Sequence, residues 1–391
     1  METSEQETVA ARWKTIQRGQ KHRPVEWLAE RGIFMVSLSA IVMVFVIFLF
    51  VAREALPVLL GRSNSSNSFE AIPVEQMDQI PPEKLRAYLG LSPAEFLRMD
   101  HETLKTLMEV KGEEAKESKG DKDAKINATG WRYLLFPYQW ENHSKPDYVW
   151  EPVANVPKFN IMPLVVGSLK TTLVALLFSV PLSLAAAIYV SQLASPKVRE
   201  VLKPFIELLG GIPSVVLGFF CLIVLATLLQ AIFGYQSRLN AFVAGIGLGF
   251  AVVPVVFSIA EDALTSVPRS YLQAALALGS SRWEAAWKVV LPAAFPGVFA
   301  AVILGFGRAV GETMIVLMAS GSARIMSWNI FDSTKSITNA IAAELGEAVT
   351  GDNHYRILFL IGGLLFLVTF ISNLAGDLIM HRLKARMEGR R

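Results

Sequence analysis

An arginine and a glutamate four residues apart stand inside an apolar stretch: Gly307-Arg308-Ala309-Val310-Gly311-Glu312-Thr313, within the run from Phe295 to Ser320. Ionisable groups at membrane depth are costly, and they usually face the bundle interior or a water-filled path. On a continuous helix Arg308 and Glu312 share a face and can pair. Gly307 and Gly311, also four apart, leave a small surface that another helix can approach closely. A planar guanidinium grips an oxyanion such as phosphate or sulfate through two parallel hydrogen bonds. Left unopposed in a dry path, it would hold the anion too tightly to release it. Glu312 would neutralise Arg308 when the path is empty and compete with the anion when it is occupied. Arg308, Glu312 and the adjoining Thr313 are therefore the candidate pathway residues, with a purely structural ion pair between helices as the alternative.

A second group lies between the fourth and fifth apolar stretches: Gln273-Ala274-Ala275, then Gly279, then Leu291-Pro292. Ser270 can cap a short helix running to Leu278, and Gly279 suits a left-handed stop. Ser281-Arg282-Trp283-Glu284 reads as a capping box opening a second helix toward Leu291, which Pro292 ends or kinks. The expectation is two short helices at an angle, with Ala274 and Ala275 small enough for a partner to come close. An ordinary amphipathic loop is the alternative. Other chemistries have no support. No G-x4-G-K-[ST] phosphate loop occurs, so nothing here hydrolyses a nucleotide. Gly245, Gly247 and Gly249 sit in an apolar helix with no strand before them and read as packing glycines. The lone Cys221 reads as a buried structural thiol, and five scattered histidines make no metal site. Neither a catalytic nor a metal-binding residue is expected, nor a cofactor of the chain's own.

The elements that must position these groups are membrane helices. Of 391 residues 52% are hydrophobic and 18% charged, against about 25% charged in soluble domains. A net charge of +3 is too small to argue for nucleic acid. About 20 apolar residues cross a bilayer as helix, and such stretches run over 32–52, 163–190, 211–233, 241–260, 295–320 and 357–380, giving an all-α polytopic fold of six spans. The first is expected to be an uncleaved anchor, because its polar leader and apolar run are both long for a signal peptide. Lys and Arg mark the cytoplasmic side: they crowd the tail before the first span (Arg12, Lys14, Arg18, Lys21, Arg23, Arg31) and the tail after the last (Arg382, Lys384, Arg386, Arg390, Arg391). They recur after the second span (Lys197, Arg199, Lys203) and after the fourth (Arg269, Arg282, Lys288). Six spans put all four segments on one side, with both termini cytoplasmic. Gly210-Gly211-Ile212-Pro213 should break or loosen the start of the third span, which suggests pathway lining against a simple kink. Glu207, close by, is placed at the interface.

Residues 61–160 form an extracytoplasmic insert. Ser92-Pro93-Ala94-Glu95 is a helix start, and Leu85, Leu97 and Leu104 suggest two or three small amphipathic helices. Lys111 to Lys125 is nearly all charged or small and reads as a mobile linker. The aromatic stretch Trp131 to Trp150 is expected at the membrane interface or packed on the small helices. A cap or spacer is one reading of the insert, and a docking surface for a binding protein the other.

The spacing of 273–292 resembles the EAA loop of ABC-importer permeases, E-A-A-x3-G-x9-I-x-L-P, with Gln273 for Glu and Val289 for Ile. Gln273 can hydrogen-bond but holds no negative charge. Gly-Arg-Ala-x-Gly-Glu-Thr-Met at 307–314 narrows the resemblance to the Pst phosphate permeases, C-type subunit. Gly211-Ile212-Pro213-Ser214-Val215-Val216 with Gly218-Phe219, Glu207-Leu208-Leu209, and Ser336-Ile337-Thr338-Asn339-Ala340-Ile341 look alike too. The similarity covers the first span and about 150 to 391, not the insert.

The resemblance implies an ABC-importer type I core: a cytoplasmic tail (1–30), an anchor (31–52), the insert (61–160), a five-helix permease core (163–380) with its EAA loop at 270–292, and a basic tail (381–391). It implies half of the translocation path of a phosphate importer in the bacterial inner membrane. Gln273, Ala274, Ala275, Gly279, Leu291 and Pro292 would grip an ATPase. Partners would be an A-type permease subunit as heterodimer, two ATPase subunits that bind the ATP, an extracytoplasmic phosphate-binding protein, and membrane lipid. A permease for sulfate or molybdate, or a membrane scaffold or phosphate sensor, is the alternative. Replacing Gly279 by a β-branched residue should then uncouple the two halves of the machine: in Gly279→Val, ATP hydrolysis by the assembled complex is expected to persist while uptake of radiolabelled phosphate is lost, and normal uptake would sink the assignment.

Overall fold

In the computed structural model the described residues are 24–61, 80–89, 91, 96–118, 129–140, 144–154 and 156–387. The expected helix start at 92–95, part of the charged stretch (119–125) and the basic residues before Pro24 and after Met387 lie outside them. The chain divides into two units, 1–53 and 54–391. The first unit carries most of α1 (Pro24–Leu59), an unbroken apolar helix longer than the expected span.

In the second unit the insert forms α2 (Pro82–Leu89) and α3 (His101–Ser118), which bury Leu85, Leu89, Leu104 and Met108 against each other. Leu97 stays exposed instead of joining them. Residues 111–118, expected as linker, continue α3. Lys111, Glu113, Glu114, Ala115, Lys116 and Glu117 are good helix formers, which outweighs Gly112.

Part of the aromatic stretch packs on the core of the second unit. After α4 (Trp131–Leu135) and the two-stranded pair β1 (Trp150–Glu151) and β2 (Lys158–Phe159), Leu134, Trp150 and Phe159 join one apolar cluster. Val58, Ile337, Ile357 and Ile361 complete it. Asn160 ties this cap to the next span: its Nδ2 donates to the carbonyls of Tyr133 and Phe136 at 3.0 and 2.9 Å, and its Oδ1 accepts from the amide of Met162 at 3.0 Å.

The core follows as α5 (Met162–Leu193), α6 (Pro196–Leu208), α7 (Ser214–Phe233), α8 (Ala241–Thr265), α9 (Arg269–Ala277), α10 (Arg282–Ala293), α11 (Phe295–Gly311), α12 (Met314–Ala319), α13 (Ile337–Glu344) and α14 (Asn353–Met387). Among the described residues five helices are long and apolar enough to cross a membrane, and a sixth span is reached by counting α10 and α11 together. The protein is a multi-pass, all-α membrane protein. The expected fifth span is not one helix. With 17 residues α11 covers about 26 Å, short of a bilayer core of about 30 Å, and the chain leaves the helix before α12 begins.

The centre of the bundle is α8, packed along α5 and α11. Its glycines do the packing expected of them: a Cβ on Gly245 would lie 2.6 Å from Val174, and one on Gly249 2.6 Å from Phe178. A Cβ on Gly247 would overlap the sulfur of Cys221, a buried free thiol on α7. Small residues let these backbones approach, which is how helices associate where no water drives them together. The break before α7 is also present: Leu209–Gly211 is a 3-10 turn, Ile212 and Pro213 are extended, and the helix restarts at Ser214. Overfilling the α8–α5 contact by Gly245→Leu should cost about 1–3 kcal/mol, read as a lower melting temperature of the detergent-purified protein; an unchanged melting temperature would contradict this packing.

Candidate functional site

At the site, α11 ends at Gly311, and Glu312 has extended backbone (φ −74°, ψ 135°) before Thr313 opens α12. Arg308 and Glu312 therefore do not share a helical face, and no ion pair joins them among the described residues. Their expected pairing is corrected, because the helix that would have aligned them stops between them. The Arg308 Nε donates instead to the carbonyl of Ala251 on α8 at 3.4 Å, and the Glu312 carboxylate accepts from the Thr313 amide at 3.2 Å. On the chain's surface Arg308 is exposed, and Glu312 and Thr313 are half-buried. The two glycines also part ways: Gly307 is met by Asn373 of α14, whereas nothing approaches Gly311.

Leaving the helix frees the Glu312 carbonyl, and Thr338 Oγ1 donates to it at 3.0 Å. Thr338 stands in the first turn of α13, whose start is capped by Ser336 through the amide of Asn339 at 3.1 Å. Asn339 Nδ2 in turn donates to Ser322 Oγ at 2.9 Å, where Ser322 holds a left-handed backbone (φ 53°). Three residues of α5 seat the segment between α12 and α13. Gly167 has no Cβ where the Lys335 carbonyl passes. Ser168 accepts from the amide of Ile337 at 2.9 Å. Buried Lys170 donates to the carbonyls of Ser327 and Asn329, both at 3.0 Å.

At the far end of α13 the buried Glu344 collects three donors. Trp150 Nε1 reaches both carboxylate oxygens at 3.2 Å, His354 Nε2 lies 3.0 Å from Oε2, and Lys335 pairs with Oε1. Burial pushes the Glu344 carboxyl up, but the bonds from His354, Lys335 and Trp150 and the Lys335 charge outweigh it and hold it at about 2. None of Trp150, Lys335, Glu344 or His354 was singled out from the sequence as a site residue. The available signal was a charged residue in a mostly apolar segment, which Lys170 and Glu344 both show.

The loop 270–292 follows its sequence signals in part. In α9 the start is Arg269 after Pro268, so Ser270 lies inside the first turn and does not cap it. At the stop, Gly279 (φ 88°) gives its amide to Leu276 and Ser280 gives its amide to Ala275, at 3.0 and 3.1 Å, the paired pattern of a Schellman end. The capping box is formed in both directions, with Ser281 Oγ accepting from the Glu284 amide at 3.2 Å and Glu284 Oε2 from the Ser281 amide at 3.1 Å. Pro292 does not end α10; the 74° bend to α11 falls at Ala294. Gln273, Ala274, Gly279 and Pro292 are exposed and Leu291 is half-buried. Ala275 is buried within the chain, so its small side chain serves internal packing and not a partner's approach. Trp283 and Trp287 stack on each other and stand exposed, as do Leu278 and Tyr271 on the same loop.

Just before this loop, buried Glu261 at the end of α8 is held by Arg199 at 2.7 Å and Lys203 at 2.6 Å, both from α6, and Lys203 also pairs with Asp262 at 3.1 Å. The bond to Glu261, against burial and aided by Asp262, raises the Lys203 ammonium above the usual lysine range. Glu207, placed by the sequence at the interface, accepts from Ser258 Oγ at 3.3 Å.

A polytopic chain with a charged break in one span and a capped helix pair exposed on its loop is built as the membrane part of a transporter. It belongs to the family of binding-protein-dependent transport system inner membrane components, matched over residues 179–389. It is 36% identical over 223 residues to the probable ABC transporter permease protein YqgH of Bacillus subtilis, covering 57% of this chain and 72% of that protein. It is 32% identical over 275 residues to the phosphate transport system permease protein PstC of Pasteurella multocida, covering 66% of this chain and 82% of that one. Among solved structures, a chain of the inward-facing MetNI methionine ABC transporter aligns with a TM-score of 0.43 and 17% identity, over 57% of this chain and 93% of that chain.

In the folded protein Glu344 has a lower pKa than in the unfolded chain, so its contribution is complete above about 4.5 and lost as pH falls toward about 2. Allowing for solvent screening, Glu344→Gln should cost roughly 2 kcal/mol at neutral pH. The gap in melting temperature between wild type and variant should close in that acid window; a gap independent of pH would contradict the assignment.

Proposed function

We propose that this chain is a transmembrane permease subunit of an ATP-driven phosphate importer, forming half of the translocation path. The reading is carried by its 32% identity to a phosphate permease of which it covers 82%. Arg308, exposed beside the break in α11–α12, is the group that would meet the anion, with Glu312 and Thr313 adjoining it. A guanidinium can bind two oxyanion oxygens at once, and the half-buried Glu312 carboxylate four residues on would limit how tightly the anion is held.

The loop 270–292 would dock the ATPase. Its exposed Trp283, Trp287, Leu278 and Tyr271 would supply contact area, Gln273 and Ala274 would contribute to the grip, and Gly279 would set the angle between the two helices. ATP would bind to that partner, and the chain itself would need no cofactor and hydrolyse nothing. The assembly would hold an A-type permease, two ATPase subunits and an extracytoplasmic phosphate-binding protein. The basic segments would face the cytoplasm, with both termini on that side of the bacterial inner membrane.

Arg308→Gln keeps a polar side chain of similar length without the charge. In cells lacking their own high-affinity system and expressing the complete transporter, phosphate uptake at low concentration should fall at least about tenfold in this variant, the loss of a charged hydrogen bond of about 1.5–3 kcal/mol. Wild-type uptake from an assembled Arg308→Gln complex would leave Arg308 a structural role only.

A further inference from the structure

The short helix α13 is held at both ends by groups that have no reason of local stability to be there. Its macrodipole favours an acid at the start and a base at the end, yet Lys335 precedes it and Glu344 ends it. The charges are retained through burial and pairing with partners from elsewhere: Trp150 from the insert and His354 from α14. At the other end Thr338 supplies the donor that the interrupted α11 no longer gives to the Glu312 carbonyl, and the amide of Ile337 rests on Ser168 of α5. The insert is thus joined to the break beside Arg308 through one eight-residue helix and two side-chain hydrogen bonds.

We infer that Glu344 is a positioning residue for the pathway: with Trp150 it sets α13 so that Thr338 holds the break at Glu312 and Thr313 open. The insert is then a working part of the translocation core and not a spacer, because its Trp150 is one of the supports of that helix. The inference rests on the proposed function for its link to transport, while the positioning of the break stands on the geometry alone.

A double-mutant cycle tests it in the full chain within its assembled complex. Trp150→Phe keeps the buried ring and removes the N–H donor; Thr338→Val keeps the shape and removes the hydroxyl, and Thr338→Ser restores it. Each of the first two should lower the maximal rate of phosphate uptake about fivefold, the worth of one hydrogen bond, with the half-saturating concentration little changed, and Thr338→Ser should rescue. Because both act through α13, the double variant should be no worse than the poorer single. Independent sites would instead multiply, to about 25-fold, and that result would overturn the inference.

A second readout does not depend on the substrate. With Thr313→Cys in a Cys221→Ala background, the rate of maleimide labelling should change in Trp150→Phe and in Thr338→Val, again without adding. Unchanged labelling in both overturns the positioning role whatever the protein carries. Changed, non-additive labelling in these variants, together with no phosphate uptake by the assembled wild-type complex, would sustain the positioning role and sink the phosphate reading.

Discussion

A backbone carbonyl inside a membrane protein must find a donor, and at Glu312 the helix stops providing one. Most of the second half of the chain answers that constraint. Thr338 reaches the carbonyl only because α13 lies alongside. In turn α13 lies there because α5 offers Gly167, Ser168 and Lys170 as a seat for the segment leading into it. The same segment serves α8, whose first amides at Ala241 and Phe242 donate to the carbonyls of Asp332 and Ile330. The irregular stretch therefore meets the open start of one span and leads into the helix that meets the open end of another, which is how non-helical backbone persists in such surroundings.

Two buried carboxylates organise the two ends of this arrangement. Glu344 gathers Trp150, His354 and Lys335 where the insert meets the core, and Glu261 gathers Arg199 and Lys203 where α8 leads into the loop helices. A buried carboxylate is costly unless its lone pairs are met by well-placed donors, and both are met. Glu261 draws both partners from about sixty residues away, and Glu344 adds distant Trp150 to two nearer partners. Such pairs specify which helices sit together more than they add to stability. Between them, α8 depends on the absence of side chains at Gly245, Gly247 and Gly249. Electrostatics therefore fixes the ends of the bundle, and close packing its middle.

Legibility in the sequence divided along the same line. In the loop 270–292 the capping box at Ser281 and the left-handed stop at Gly279 were readable, because they need only residues three or four apart, whereas the expected cap at Ser270 does not form. The packing glycines and buried thiol were readable for a similar reason, since apolar surroundings leave them few other roles. The break in the fifth span was not. Arg308 and Glu312 at a spacing of four imply a helical pair, and nothing between Gly307 and Met314 forbids a continuous helix. The donor that meets the Glu312 carbonyl there is Thr338, 26 residues on.

What the sequence determined by itself is a multi-pass helical protein with a capped two-helix loop, because hydropathy and capping are properties of neighbouring residues. It also marked Arg308 as unusual, since charge in an apolar run is visible without coordinates. Tertiary structure alone decided that α11 breaks, that Ala275 turns inward, and that Trp150 of the insert shares a carboxylate with α13. The break rests on a donor 26 residues away and the shared carboxylate on one 194 residues away, and a hydrogen bond of that kind exists only once the chain has folded around it.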